Sequence, residues 1–106
     1  MRAVRWSETA LTQFEAAIAY LAERNVTAAD HLADRLEETV AALAKRPIGR
    51  PGYRDGTYEK SVLKTPYLIV YSLFGGPDGE LWIHRVFHTA QDWTGWAPYP
   101  DEDAHQ

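Results

Sequence analysis

Apolar positions along the chain fall into two regimes, one with helical spacing and one with the spacing of strands. Between Ser7 and Asn25, Leu11, Phe14, Ile18 and Leu21 recur at steps of three, four and three, flanked by Ala10, Ala17 and Ala22. That recurrence aligns one apolar helical face. Ser7 is a good N-cap, Glu8 meets the positive end of the helix dipole, and Asn25 suits the left-handed residue that often closes a helix. Leu32, Leu36, Val40 and Leu43, with Ala29 and Ala33 beside them, predict a second helix. Thr27 is its expected cap, Asp30 completes a partial capping box, and Lys45, Arg46 and Pro47 end it. Two long helices joined by about two residues fold back as an antiparallel hairpin.

Beyond Pro47 the pattern changes. Residues Pro47 to Gly56 are rich in Pro, Gly and Arg and predict a loop, and Thr57 to Leu63, of mixed polarity, reads as a strand exposed on one side. Tyr67 to Phe74 is dense in aromatic and β-branched residues and apolar on both faces, which predicts a central strand. Gly75 to Gly79 is a turn, from which Glu80 to His88 returns antiparallel. With Ala3 to Trp6 as a short opening strand, the order is β-α-α-β-β-β. This is an α+β fold in which the helical hairpin packs on a small, mostly antiparallel sheet. Residues 1–93 form one domain and 94–106 a C-terminal extension whose acidic end is expected to fray, with Trp96 and Tyr99 either sharing that fate or docking back.

Length and composition narrow the class. A chain of 106 residues, 45% hydrophobic and 25% charged, has the makeup of one globular domain. No apolar run approaches the ~20 residues of a membrane span, so no membrane partner is expected. The stretch MRAVRWSETA has no apolar segment of the secretory kind, and a cytoplasmic location is expected. With no cysteine, disulfides, thiolate metal sites and cysteine nucleophiles are excluded. The formal charge of −4 argues against a protein that mainly grips nucleic acid, and direct nucleic-acid binding is not expected. Yet between Lys45 and Lys64 six bases (Lys45, Arg46, Arg50, Arg54, Lys60, Lys64) face only Asp55 and Glu59. Such a segment is either a solvated surface or a docking surface for an acidic partner.

Candidate chemistry is sparse. His84 and His88 lie four apart on a predicted strand, a span of about 13 Å that one ion does not bridge, so no metal or other cofactor is expected. Ser61 and Ser72 lack a nucleophile elbow, and GGPDG lacks the spacing and lysine of a phosphate loop. A metal-free ribonuclease needs a base, an acid and a cation along one groove. Glu59, Lys60, Tyr67, Tyr71, Arg85 and His88 come from strands expected to be neighbours, although each also has an ordinary structural role available to it.

Several short motifs carry a family likeness through their order and spacing. Trp6-Ser7, Asn25, Ala28-Ala29, Leu43 and Pro47 are followed by Gly49-Arg50, Gly56-Thr57, Pro66-Tyr67 and Val70-Tyr71, and the run closes with Arg85-Val86-Phe87-His88-Thr89-Ala90-Gln91-Asp92-Trp93. This resembles the RelE/ParE toxin superfamily of type II toxin–antitoxin systems, and within it the ParE-like branch, from about Arg5 to Trp93. The resemblance implies a toxin neutralised by a cognate antitoxin, with ParE-like members trapping the cleaved-DNA complex of DNA gyrase and RelE-like members cutting mRNA on the ribosome. Two departures separate the chain from the RelE pattern: it is net acidic, and Tyr67-Leu68-Ile69-Val70-Tyr71 carries no cation. One departs from the ParE pattern: Gly56-Thr57-Tyr58-Glu59 stands where Gly-Thr-Arg-Glu is common. The resulting expectation is gyrase inhibition without intrinsic catalysis. The alternatives are a ribosome-dependent mRNA endonuclease, with His88 as acid or base, Glu59 as its counterpart and Arg85 stabilising charge, or a non-toxic relative that only binds a partner. Antitoxin contact is expected at Arg50, Arg54, Lys60 and Lys64 for charge steering, and at Tyr58, Tyr67 and Trp82 as aromatic anchors.

Overall fold

Helix and strand boundaries follow the local chemistry closely. The computed structural model describes residues 1–52 and 54–89. Its elements are β1 (Ala3–Trp6), α1 (Glu8–Ala22), α2 (Val26–Lys45), β2 (Arg50–Pro51), β3 (Tyr58–Ser61), β4 (Tyr67–Phe74) and β5 (Glu80–His88). The expected order of strand, two helices and three strands is present, and the only addition among the described residues is β2, a two-residue edge strand inside the predicted loop. It forms because Arg50 and Pro51 pair with Glu59 and Tyr58, a short ladder that local sequence does not announce. Trp96, Tyr99 and the acidic end of the extension lie outside the described residues.

Ser7 caps α1 as expected, its hydroxyl oxygen accepting from the Ala10 N–H at 3.0 Å. The junction between the helices differs from expectation. Asn25 does not close α1 in a left-handed conformation; its backbone is extended (φ −161°, ψ 102°), and its side-chain oxygen accepts from the Ala28 N–H at 3.0 Å. It is therefore the N-cap of α2, and Thr27 falls inside the first turn. A short polar side chain suits either terminus, and in so short a connection the unpaired N–H groups of α2 claimed it. The inward stripe of α1 is also rotated. Ala10 is fully buried while Leu11 is 44% exposed, and Phe14, Ala17, Ile18 and Leu21 complete the face that packs on the core. The small alanine permits close approach to the sheet, and the larger leucine is turned aside. On α2 the expected Leu32, Leu36, Val40 and Leu43 are all buried.

The strands form one sheet in the order β1-β5-β4-β3-β2, with β1 parallel to β5 and the other pairs antiparallel. Residues on β4 alternate strictly. Ile69 and Tyr71 face the helices with Leu36, Val40, Leu81, Ile83 and Val86, whereas Leu68 and Val70 join Phe87 in a smaller cluster on the other face. On β5 the alternation is broken once. Val70 opposes Arg85 but Tyr71 opposes Ile83, so His84 is an extra, bulged residue. Gln13 of α1 answers the disruption, its side-chain oxygen accepting the Val86 N–H at 2.8 Å. Close approach elsewhere fixes two glycines: a Cβ on Gly79 would collide with the Phe74 carbonyl in the β4–β5 turn, and one on Gly49 would lie 2.7 Å from the Tyr71 hydroxyl.

Candidate interaction surface and its clefts

The residues expected to bind a partner separate into four places. The first is the β2–β3 edge. Arg50 Nε donates to Glu59 Oε1 at 3.2 Å across the ladder. Tyr58, 37% exposed, stacks on buried Tyr71 with ring centroids 5.6 Å apart. Burial, then the neighbouring Tyr58, pushes the Tyr71 hydroxyl above the usual tyrosine range. The carbonyl of Arg54 accepts from both the N–H and the hydroxyl of Thr57, at 3.1 and 2.6 Å, which holds the turn that leads into β3.

The second place is a groove of about 330 Å³ between α2 and β3, in which Lys60 lies opposite Arg35 and Arg46. Its apolar rim is supplied by Ile48, 55% exposed, and Leu63, 71% exposed. The third is a larger cleft of about 570 Å³ at the turn end of the helical hairpin, where Lys64, Tyr67 and His88 from the sheet side meet Tyr20, His31 and Arg35 from the helices. Tyr67 and His88 make an edge-on contact with centroids 5.1 Å apart. Burial, followed by the nearby Tyr20, raises the Tyr67 hydroxyl above its ordinary value, so it remains a neutral donor. The turn before β4 is built for this placement. Thr65 donates its hydroxyl to the Val62 carbonyl at 2.9 Å, and Lys64 adopts φ +62°.

The fourth place is the face of the sheet away from the helices. Trp82 lies there, donating its indole N–H to Glu80 Oε1 at 3.0 Å, and Arg5 Nε donates to the other carboxylate oxygen at 3.0 Å. These two hydrogen bonds hold the Glu80 carboxyl below the usual range, the Trp82 bond being the larger cause. Glu59 and Arg85 share this face, each paired with Val70 in the register, and Arg85 is 3% exposed with its guanidinium donating to the His84 carbonyl at 2.6 Å. His88 pairs with Tyr67 and lies on the opposite, helix-facing side with Lys60 and Tyr71.

The structure thus does not bring Glu59, Arg85 and His88 together. The signal was present in the chain, because residues three apart on a strand point to opposite faces. Among the described residues no group of three carboxylate or imidazole side chains is arranged to hold a metal. Three contributors escaped the sequence reading. Arg35 and Arg46 lie eleven apart and His31 four before Arg35, one polar stripe beside the apolar face of α2. On the far face Ser72 Oγ lies 2.6 Å from His84 Nε2, a pair that only the bulge creates.

Comparison with known proteins accords with this architecture. A family model described as the ParE toxin of type II toxin–antitoxin system, parDE, matches residues 4–93. No curated protein matches. Among solved structures, the chromosomal ParDE system from P. aeruginosa superposes with a TM-score of 0.71 at 20% identity, covering 83% of this chain and 96% of that one. The intact E. coli RelBE toxin–antitoxin complex gives 0.59 at 13% identity over 87% of this chain and 100% of that one. The isolated E. coli RelE toxin gives 0.59 at 11%, covering 99% and 98%. At these identities the structural likenesses speak for the fold.

Proposed function

The chain belongs to the ParE toxin family of type II toxin–antitoxin systems, matched over residues 4–93, and from that premise we propose that it acts by binding DNA gyrase and trapping the cleaved-DNA complex, restrained by a cognate antitoxin. The observation that carries a binding rather than a catalytic reading is the separation of Glu59 and Arg85 from His88 across the sheet. General acid–base cleavage of RNA needs its groups within hydrogen-bond reach of one phosphate, directly or through one water. Two faces of a sheet do not provide that.

The antitoxin contact is assigned to the groove between α2 and β3 and to the adjoining β2–β3 edge. Arg35, Arg46 and Lys60 outnumber Glu38 around the groove, and Ile48 and Leu63 present exposed apolar surface beside them. A segment that mixes acids with apolar anchors complements such a surface, with charge acting mainly on the rate of association and on specificity. Arg50 and Tyr58 continue it along the edge, where the ladder ends at the two residues of β2.

Purified protein in a gyrase supercoiling and DNA-cleavage assay, run beside a translation assay with mRNA mapping, tests the reading. Trapped cleaved DNA is the expected outcome, and His88→Ala is expected to leave toxicity largely intact. Codon-phased cuts in mRNA that disappear in His88→Ala would overturn it in favour of a ribosome-dependent nuclease. Lys60→Glu is expected to slow association with the antitoxin, and the deficit should shrink as salt is raised.

A further inference from the structure

The cleft at the turn end of the helical hairpin has a chemistry that neither gyrase nor antitoxin binding uses. Arg35 and Lys64 bring two fixed positive charges to it, and none of the ion pairs among the described residues engages either. His31 and His88 add two imidazoles. No carboxylate lines the cleft among the described residues; Asp34 and Glu38 share His31 and Arg35 with a separate depression of about 160 Å³. Planar surfaces stand beside the charges. The Tyr67 ring meets His88 edge-on, and Tyr20, 59% exposed, carries the Arg24 guanidinium 3.8 Å from its ring centroid.

We propose that this cleft is a binding site for a nucleoside monophosphate, with Arg35 and Lys64 holding the phosphate and the rings of Tyr20, Tyr67 and His88 receiving the base. Arg matches phosphate oxygens with a forked donor set, and Lys contributes a point charge. Aromatic rings stack on any base, because every base has a π-face. The cleft, about 570 Å³, has the volume of a small-molecule site, which typically spans roughly 300–1,000 Å³. An acidic peptide would use the charges but has no need of the rings, and the neighbouring groove with Ile48 and Leu63 offers it the apolar contacts this cleft lacks at its rim. The assignment stands apart from the gyrase reading, so either can fail while the other holds.

The test is calorimetric titration of the full chain at low salt with AMP, GMP, CMP and UMP, with inorganic phosphate, adenosine and a glutamate-rich peptide as comparison probes. At least one nucleotide is expected to bind saturably and about tenfold more tightly than phosphate or adenosine, in line with one added stacking contact. Arg35→Gln and Lys64→Asn are each expected to weaken it about tenfold, as the loss of one charge-assisted hydrogen bond does. Asn tolerates the left-handed conformation of residue 64, so the second variant keeps its turn. Arg5→Gln, a charge removed from the far face, should leave affinity unchanged, and nucleotide should shift the NMR signals of His31 and His88. Absence of saturable binding, equal affinity for phosphate, tighter binding of the peptide, or indifference to both substitutions would each overturn the assignment.

Discussion

The two faces of the sheet are made from the same strands but do different work. The helix-facing side carries the larger core, with Leu36, Ile69, Leu81 and Ile83 all fully buried, and its rim opens into the basic groove and the cleft. The other side holds the small cluster of Leu68, Val70 and Phe87, bordered by paired polar groups: Arg50 with Glu59, Arg5 and Trp82 with Glu80, and Ser72 with His84. On that second face the charged side chains are already engaged with one another. On the first, Arg35 and Lys64 have no ion pair among the described residues. The difference teaches that free charge, rather than total charge, marks where a protein of net −4 meets an anionic or acidic partner.

The comparison is tested most severely by truncating one large side chain on each face. Phe87→Ala is expected to cost about 3–5 kcal/mol and Leu36→Ala about 2–5 kcal/mol, measured by urea denaturation. A loss below about 1 kcal/mol for Phe87 would mean its face is not packed as a core at all, since surface changes are usually within about 0.5 kcal/mol. Gln13→Ala strikes the bulge where the faces exchange. It leaves the buried Val86 N–H without its acceptor, an expected cost of about 1–3 kcal/mol. Ser7→Ala removes the α1 cap, whose hydroxyl also donates to the bulged His84 carbonyl at 3.0 Å, and about 1 kcal/mol is expected. Unchanged stability in both variants would break the link between α1 and the bulge.

The smallest effect belongs to the far face and depends on pH. Glu80 is depressed in the folded protein, chiefly by the Trp82 hydrogen bond and then by Arg5. A depressed carboxyl binds fewer protons when folded, so its contribution is complete above the ordinary glutamate range and is lost as pH falls through the lowered folded value. The stability difference between the native chain and Glu80→Gln should therefore be constant near neutrality and disappear in acid. A difference that grew on acidification would reverse the sign and refute the pairing. In the alkaline range Tyr67 and Tyr71 act oppositely: their raised values stabilise the fold below the ordinary tyrosine range, and the benefit fades as pH climbs through the folded values.

Much of the fold was legible because it rests on local signals. The periodicity of Leu32, Leu36, Val40 and Leu43 and the density of β-branched and aromatic residues from Tyr67 to Phe74 each specify an element without reference to the rest of the chain. The candidate site was less legible. Lys60 falls in the groove and Lys64 and Tyr67 in the cleft, but Arg50, Arg54 and Tyr58 lie at the edge, and Trp82 lies on the far face beside Arg5 and Glu80. Arg35 and His31 were invisible as site residues because a polar helical stripe looks the same whether it faces water or the rim of a cleft.

Sequence alone determined the elements, their order, the central place of β4 and the family, since each depends on residues close together in the chain or on the order of short motifs. Only the tertiary structure decided sidedness. Asn25 was claimed by α2, β2 exists only through β3, and the extra residue at His84 set which side chains of β5 look toward the helices. Those outcomes hinge on hydrogen bonds between distant segments, such as Gln13 with Val86, whose partners are fixed only after packing has brought them together.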